Sequence, residues 1–126
     1  MLQQPSGLCG TPPYMAPEIF LGQAVGKPID VWAYGAFLWE LVHMQAPHAD
    51  LSNDEIIGHM LSGGGLPPCA PSIDPATLLI MLACTRPEPA ARPSFAVLEQ
   101  AVQHLLVDRP GGSSLYAAQQ CMRLGL

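Results

Sequence analysis

An all-α fold, with one apolar helix at its centre and smaller helices packed around it, is what the sequence predicts, and three observations predict it. Residues 28–44 hold apolar side chains on every side of a helical wheel, the pattern of a helix buried in a larger body. Apolar residues make up 49% of the 126-residue chain and charged residues only 12%, which supplies a core but leaves little charge to cover a surface. The 12 Gly and 14 Pro rule out a long coiled coil, and no stretch alternates with the period of a strand.

Each element follows from local chemistry. Residues 1–13 are rich in Gly and Pro and read as irregular. Pro17 and Glu18 open a short helical turn to Leu21, which Gly22 stops. After a loop, Pro28 starts the central helix, with Ile29, Val31, Trp32, Ala33, Tyr34, Ala36, Phe37, Leu38, Trp39, Leu41 and Val42 as its apolar set. Asp30 lies in its first turn, where the helix dipole favours an acid. Glu40 lies near the opposite end, where the dipole disfavours one, so Glu40 needs a specific partner. Gln45 to Leu51 form a loop. Ser52 or Asn53 reads as the N-cap of a helix over 54–61, Ser52 with Glu55 having the spacing of a capping box, and Gly63-Gly64-Gly65 ends it. Leu66 to Pro71 are extended. Asp74-Pro75 begins a helix with Leu78, Leu79, Met81 and Leu82 directed inward, ending before Pro87. Arg86 to Pro93 are a proline-punctuated loop. Ser94 caps a last core helix to about Val107, with Phe95, Val97, Leu98, Ala101, Val102 and Leu105 at helical spacing. Arg109 to Ser114 read as a linker, and Leu115 to Leu124 as a short tail helix.

The net charge is −5, and Lys27 and the four arginines form no cluster, so neither nucleic acid nor an anionic membrane surface is an expected partner. No apolar run approaches the roughly 20 residues of a membrane span. Residues 1–5 lack the basic start and apolar core of a secretory signal. Cys9, Cys69, Cys84 and Cys121 include no Cys-x-x-Cys pair. With His43, His48 and His59 they have no zinc-site spacing, so reduced thiols, no metal and a cytoplasmic location are expected. With so few charges, part of the surface is expected to be covered by something else, and the chain alone to be poorly soluble or to bind a hydrophobic dye.

Three stretches stand out together: Gly10-Thr11-Pro12-Pro13-Tyr14-Met15-Ala16-Pro17-Glu18; Asp30-Val31-Trp32-Ala33-Tyr34-Gly35, continuing through Leu38-Trp39-Glu40-Leu41; and Arg86-Pro87-Glu88-Pro89-Ala90-Ala91-Arg92-Pro93-Ser94-Phe95. In order and spacing they resemble the eukaryotic protein kinase family, in the second half of its C-terminal lobe. The first resembles the end of the activation segment with its Ala-Pro-Glu signature, the second the start of the buried central helix, and the third the arginine loop before the last core helix. The resemblance implies a partial kinase C-lobe over residues 1–107, with 108–126 a linker and tail. It implies that Glu18 pairs with Arg92, tying the activation segment to the last helices. In a plainer reading Glu18 is a first-turn acid. It implies that Asp30 accepts hydrogen bonds from the catalytic-loop backbone, that loop being absent from this chain, and that Trp32 is a core residue. Thr11, Pro12, Pro13 and Tyr14 would line the pocket for the substrate residue after the phosphoacceptor, although Pro12-Pro13 would make a turn in any case. Thr11 points to a Ser/Thr kinase, and the third stretch, preceded by Cys84, resembles the tyrosine-kinase-like group. Ser6 sits where many kinases are phosphorylated to order the segment, and is a candidate phosphosite.

Phosphoryl transfer needs a Gly-rich loop, a strand lysine, a catalytic-loop Asp and Asn, and the Asp-Phe-Gly metal ligand. None occurs in the 126 residues. The resemblance therefore implies a parent that transfers phosphate from ATP with Mg to protein Ser/Thr hydroxyls, with a protein substrate and the remainder of the kinase domain as partners. The chain itself is expected to bind no ATP or Mg and to catalyse nothing, and Met1 reads as a mispredicted start or a fragment boundary. The alternative is a non-catalytic kinase-like module that binds a kinase or a kinase substrate.

Overall fold

The computed structural model describes residues 12–106 and 114–126. Its elements are a 3-10 turn at Pro12–Tyr14, then α1 (Pro17–Phe20), α2 (Pro28–His43), α3 (Asn53–Leu61), α4 (Pro75–Cys84), a second 3-10 turn at Pro89–Ala91, α5 (Phe95–Leu106) and α6 (Ser114–Arg123). No strand occurs among the described residues, and the architecture is all-helical, as expected for part of a kinase C-lobe.

The caps explain the boundaries. Pro stands at the start of α1, α2 and α4, where a missing N–H costs nothing. Ser52 and Glu55 close a reciprocal capping box on α3. The Asp74 carboxylate accepts from the Thr77 amide at 3.1 Å, and Ser94 Oγ accepts from the Val97 amide at 3.2 Å. Met44 ends α2 in the left-handed region, with φ 57°.

The core has two parts, with α2 between them. Trp32 enters a cluster with Met15, Ala16, Ile19, Ile56 and Met60, joining the N-terminal segment and α3. Val31, the next residue, enters the other cluster with Ile80, Cys84, Leu98, Ala101 and Cys121, joining α4, α5 and α6. Successive helical residues point about 100° apart, so one helix can feed two cores only if apolar residues occupy more than one stripe. Cys121 is fully buried, so α6 shares this core.

The third side of α2 departs from expectation. Phe37 and Leu41, one turn apart, are 48% and 54% exposed, and Val42 and Met44 are exposed as well. The helix is covered on two flanks, and nothing among the described residues covers the third. Asp30 lies on that same side, seven residues before Phe37, and is exposed. Leu82 and Phe95, which periodicity directs inward, are also exposed. Of the α4 residues expected inward, Met81 is buried and Leu78 and Leu79 are half-buried, and Ala76, Ile80, Ala83 and Cys84 complete the buried set. Phe95 lies at the edge, meeting Tyr34 edge-to-face with ring centroids 6.5 Å apart.

α2 and α4 cross closely at Gly35. A Cβ there would lie 2.7 Å from Thr85 Cγ2 and 2.8 Å from Cys84 Cβ, closer than carbon atoms approach. Thr85 cannot swing away freely, because its hydroxyl donates to the Met81 carbonyl at 2.9 Å. Gly35→Ala is expected to destabilise the chain by about 1–3 kcal/mol through overpacking, despite alanine's higher helix propensity. Urea unfolding checks the sign, since a propensity effect alone would stabilise.

Candidate functional site

The third sequence stretch delivers Arg92 into the interior, where it meets the end of the first. Its Nη1 and Nη2 donate to the two Glu18 carboxylate oxygens at 2.7 and 2.8 Å, a bidentate ion pair. The remaining donors are also engaged. Nε donates to the Arg86 carbonyl at 2.8 Å, Nη1 to the Pro28 carbonyl at 3.0 Å, and Nη2 to the Pro87 carbonyl at 3.3 Å. All five guanidinium N–H groups thus have partners. The guanidinium carbon lies 5.1 Å from the centroid of the Trp32 ring, in cation–π range. Glu18 and Arg92 are 3% and 7% exposed, and they are the buried charged residues among those described. One side chain therefore fastens α1, the start of α2 and the 86–92 loop at a single point. Arg86 supports the loop by donating from Nη1 to the Ala91 carbonyl at 2.8 Å.

Upstream of Glu18, the Pro12–Tyr14 turn rests on α2. Pro12 is buried, while Pro13 and Tyr14 are half-buried. The Tyr14 hydroxyl donates to Glu40 Oε1. This bond, with burial and the Glu40 charge, raises the Tyr14 pKa above its usual range. Glu40 thereby has the partner that its place at the negative end of α2 demands. Sequence reasoning flagged Tyr14 and Glu40 separately and did not join them. The signal was an acid placed against the helix dipole, but the partner lies 26 residues away. Ser6 and Thr11 lie outside the described residues.

Tyr14→Phe is expected to cost about 1–2 kcal/mol by removing one hydrogen bond to a charged group. It should also speed exchange of the Met15 amide, which donates to the Pro12 carbonyl at 3.3 Å and closes the turn. Thermal unfolding with amide exchange at Met15 reads both.

The sequence model of one family, described as protein tyrosine and serine/threonine kinase, matches residues 3–102. The chain belongs to that family. It is 33% identical over 109 residues to a probable serine/threonine-protein kinase of Dictyostelium discoideum, covering 86% of this chain and 8% of the relative. It is 35% identical over 83 residues to protein kinase C of Aspergillus fumigatus, covering 66% of this chain and 8% of that protein. It is 36% identical over 90 residues to scaffold protein ILK of Cavia porcellus, covering 69% of this chain and 20% of that protein. The chain thus spans a fifth or less of these relatives' lengths.

Kinases use ATP and Mg, and the described residues do not fit either. The glycine run is already occupied by the end of α3. The Gly63 and Gly64 amides donate to the Met60 and His59 carbonyls, and a Cβ on Gly64 would strike the His59 ring at 2.3 Å. These two amides are therefore not offered to a phosphate. Lys27 is exposed in the loop before α2. No group of three or more His, Cys, Asp or Glu converges to hold a cation among the described residues. Nor does a described thiol form a reactive centre. Burial pushes Cys84 up to about 12 and raises Cys69 and Cys121 as well.

Proposed function

We propose that this chain is the C-terminal, substrate-facing part of a protein Ser/Thr kinase domain, over residues 1–107, with 108–126 as an appended linker and helix. In the full-length protein the domain transfers the γ-phosphoryl group of ATP, with Mg, to Ser or Thr hydroxyls of a protein substrate in the cytoplasm. The observation that carries this reading is the five-donor Arg92 site, which holds the segment ending at Glu18 against the helical body. Such a fixed point suits a segment whose task is to position a substrate. Thr11, Pro12, Pro13 and Tyr14 line the pocket for the residue following the phosphoacceptor, and the Tyr14–Glu40 bond keeps that turn in place. Ser6, just upstream, is the phosphosite that orders the segment.

The uncovered side of α2, with Asp30, Phe37 and Leu41, is where the remainder of the kinase domain packs. Asp30 there meets catalytic-loop amides, and Phe37 and Leu41 lose their exposed apolar surface. On this reading the 126 residues alone bind no nucleotide and transfer nothing, because the groups that hold ATP and Mg reside in that remainder. The tyrosine-kinase-like group is the subgroup this reading favours.

A second reading, a non-catalytic module that binds a kinase or its substrate, is favoured by the likeness to a relative named as a scaffold protein. One experiment separates the two. The 126-residue chain and the full-length protein are each incubated with labelled ATP, Mg and a library of Ser/Thr peptides. Transfer by the full-length protein, with none by the chain, supports the kinase. A well-folded full-length protein that captures kinases or their substrates and transfers no label supports the module.

A further inference from the structure

Residues 65–70 leave the end of α3 as an irregular strap towards α4. Pro67, Pro68, Cys69 and Ala70 of the strap form one wall of a cleft faced by Trp39, His43, His48 and Asp50. The strap is held largely by aromatic ring nitrogens. His48 Nε2 and His59 Nε2 each lie 3.0 Å from the Gly65 carbonyl oxygen. Trp39 Nε1 donates to the Pro67 carbonyl at 3.1 Å, and the Ala70 amide donates to His43 Nε2 at 3.0 Å. A weak sulfur contact, Cys69 Sγ to Met81 Sδ at 3.6 Å, completes the set.

The partners dictate the protonation states. His43 Nδ1 faces the Trp39 carbonyl at 2.8 Å, so Nδ1 carries the hydrogen and Nε2 is left to accept from Ala70. A second proton on His43 would place N–H against N–H and remove the Ala70 bond. His48 and His59 both face an acceptor, so both carry hydrogen on Nε2. Their ring centroids are 4.9 Å apart. One of them can take a second proton and keep its bond to Gly65. A second charge at that distance repels the first. The Gly65 bond draws a proton towards His48, and Asp50, on the same wall of the cleft, does the same more weakly. Burial, assisted by His59, outweighs both and lowers the His48 pKa. The remaining titratable group on the cleft is Cys69, which burial keeps as a thiol. Glu40, beside Trp39 in sequence, is engaged by Tyr14.

We propose that His43, His48 and His59 form a proton-sensitive clamp, which holds the 65–70 strap against α2 while His43 Nε2 accepts from the Ala70 amide and releases it when that nitrogen takes a proton. The sign follows from linkage. The folded state favours neutral His48, whereas the unfolded chain binds the proton near its ordinary value. The stabilisation from neutral His48 is complete above its ordinary value of about 6.5 and is lost as pH falls below it. Release opens the cleft and leaves the two cores on either side of α2 intact. The clamp stands independently of whether the full-length protein transfers phosphate.

Amide exchange by NMR on the full chain tests it, with rates corrected for intrinsic pH dependence. Between about pH 7.5 and about pH 5.5, protection of the Ala70 amide is expected to fall by about tenfold or more, while Ala36 in α2 holds its protection. His43→Gln, which can accept from Ala70 without titrating, is expected to flatten the Ala70 response. Should that variant fail to fold, imidazole nitrogen shifts of the unsubstituted chain report the His43 tautomer and each protonation step directly. Histidines that titrate across this range while Ala70 stays protected would overturn the clamp. A loss of protection shared equally by Ala36 would overturn it too, because that is global unfolding.

Discussion

Arg92→Met is expected to destabilise the fold by about 3–5 kcal/mol, the cost of leaving a buried carboxylate without its cation. Glu18 is 3% exposed, so water cannot replace the two lost hydrogen bonds without opening the structure. The carbonyls of Arg86, Pro28 and Pro87 lose donors at the same time. Arg92→Lys keeps the charge but offers a compact ammonium in place of a planar fork, so it should recover little of the loss. The informative variant is the double one, Arg92→Met with Glu18→Leu. It removes both charges and should be markedly more stable than Arg92→Met alone, because no charge remains stranded. Urea denaturation of the unsubstituted protein, Arg92→Met, Glu18→Leu and the double variant reads the cycle. Additive losses would mean that Glu18 is not the group Arg92 serves, and that the three carbonyls carry the effect. The functional consequence is local. The segment leading into α1 should lose its attachment before α4–α6 do, because their shared core does not include Arg92.

The helices were legible in the sequence wherever an end is marked by chemistry within a few residues. Ser52 with Glu55, Asp74 before Pro75, and Ser94 each mark a start that the backbone obeys. What periodicity cannot supply is which side of a helix is covered. Leu82 and Phe95 fit an inward face as well as Ile80 and Leu98 do, and only the placement of neighbouring helices decides between them. The uniform apolarity of α2 likewise reads as complete burial. Among the described residues it reflects two separate cores and a third, open flank. The Arg92 site was legible through the family resemblance, since nothing local links residues 74 positions apart. The Tyr14–Glu40 bond and the histidine clamp were not legible. Each pairs common residue types across a loop whose path no local rule fixes.

Trp32→Ala carries the other large expected loss, about 3–5 kcal/mol, because a fully enclosed indole is replaced by a methyl group. Trp32 is 2% exposed and touches the cluster of Met15, Ala16, Ile19, Ile56 and Met60, so the cavity would fall where α1, α2 and α3 meet. Trp32→Phe should cost less, since a smaller ring still fills part of that space. Trp32→Ala also removes the surface beneath Arg92. If the ring acts only by filling volume, Trp32→Leu and Arg92→Met should combine additively. If the guanidinium is stacked on the indole, the pair should show a coupling of about 0.5–2 kcal/mol, because losing either the ring or the cation already forfeits the cation–π contact. Coupling is the expected result, since 5.1 Å from guanidinium carbon to ring centroid lies within the range where the ring quadrupole attracts a cation. Trp32 would then be both a core residue and part of the Arg92 site. Substitutions on the core side would loosen the Glu18 attachment without touching either charge, and a rise in exchange at the Ile19 amide, which donates to the Ala16 carbonyl at the start of α1, would report it.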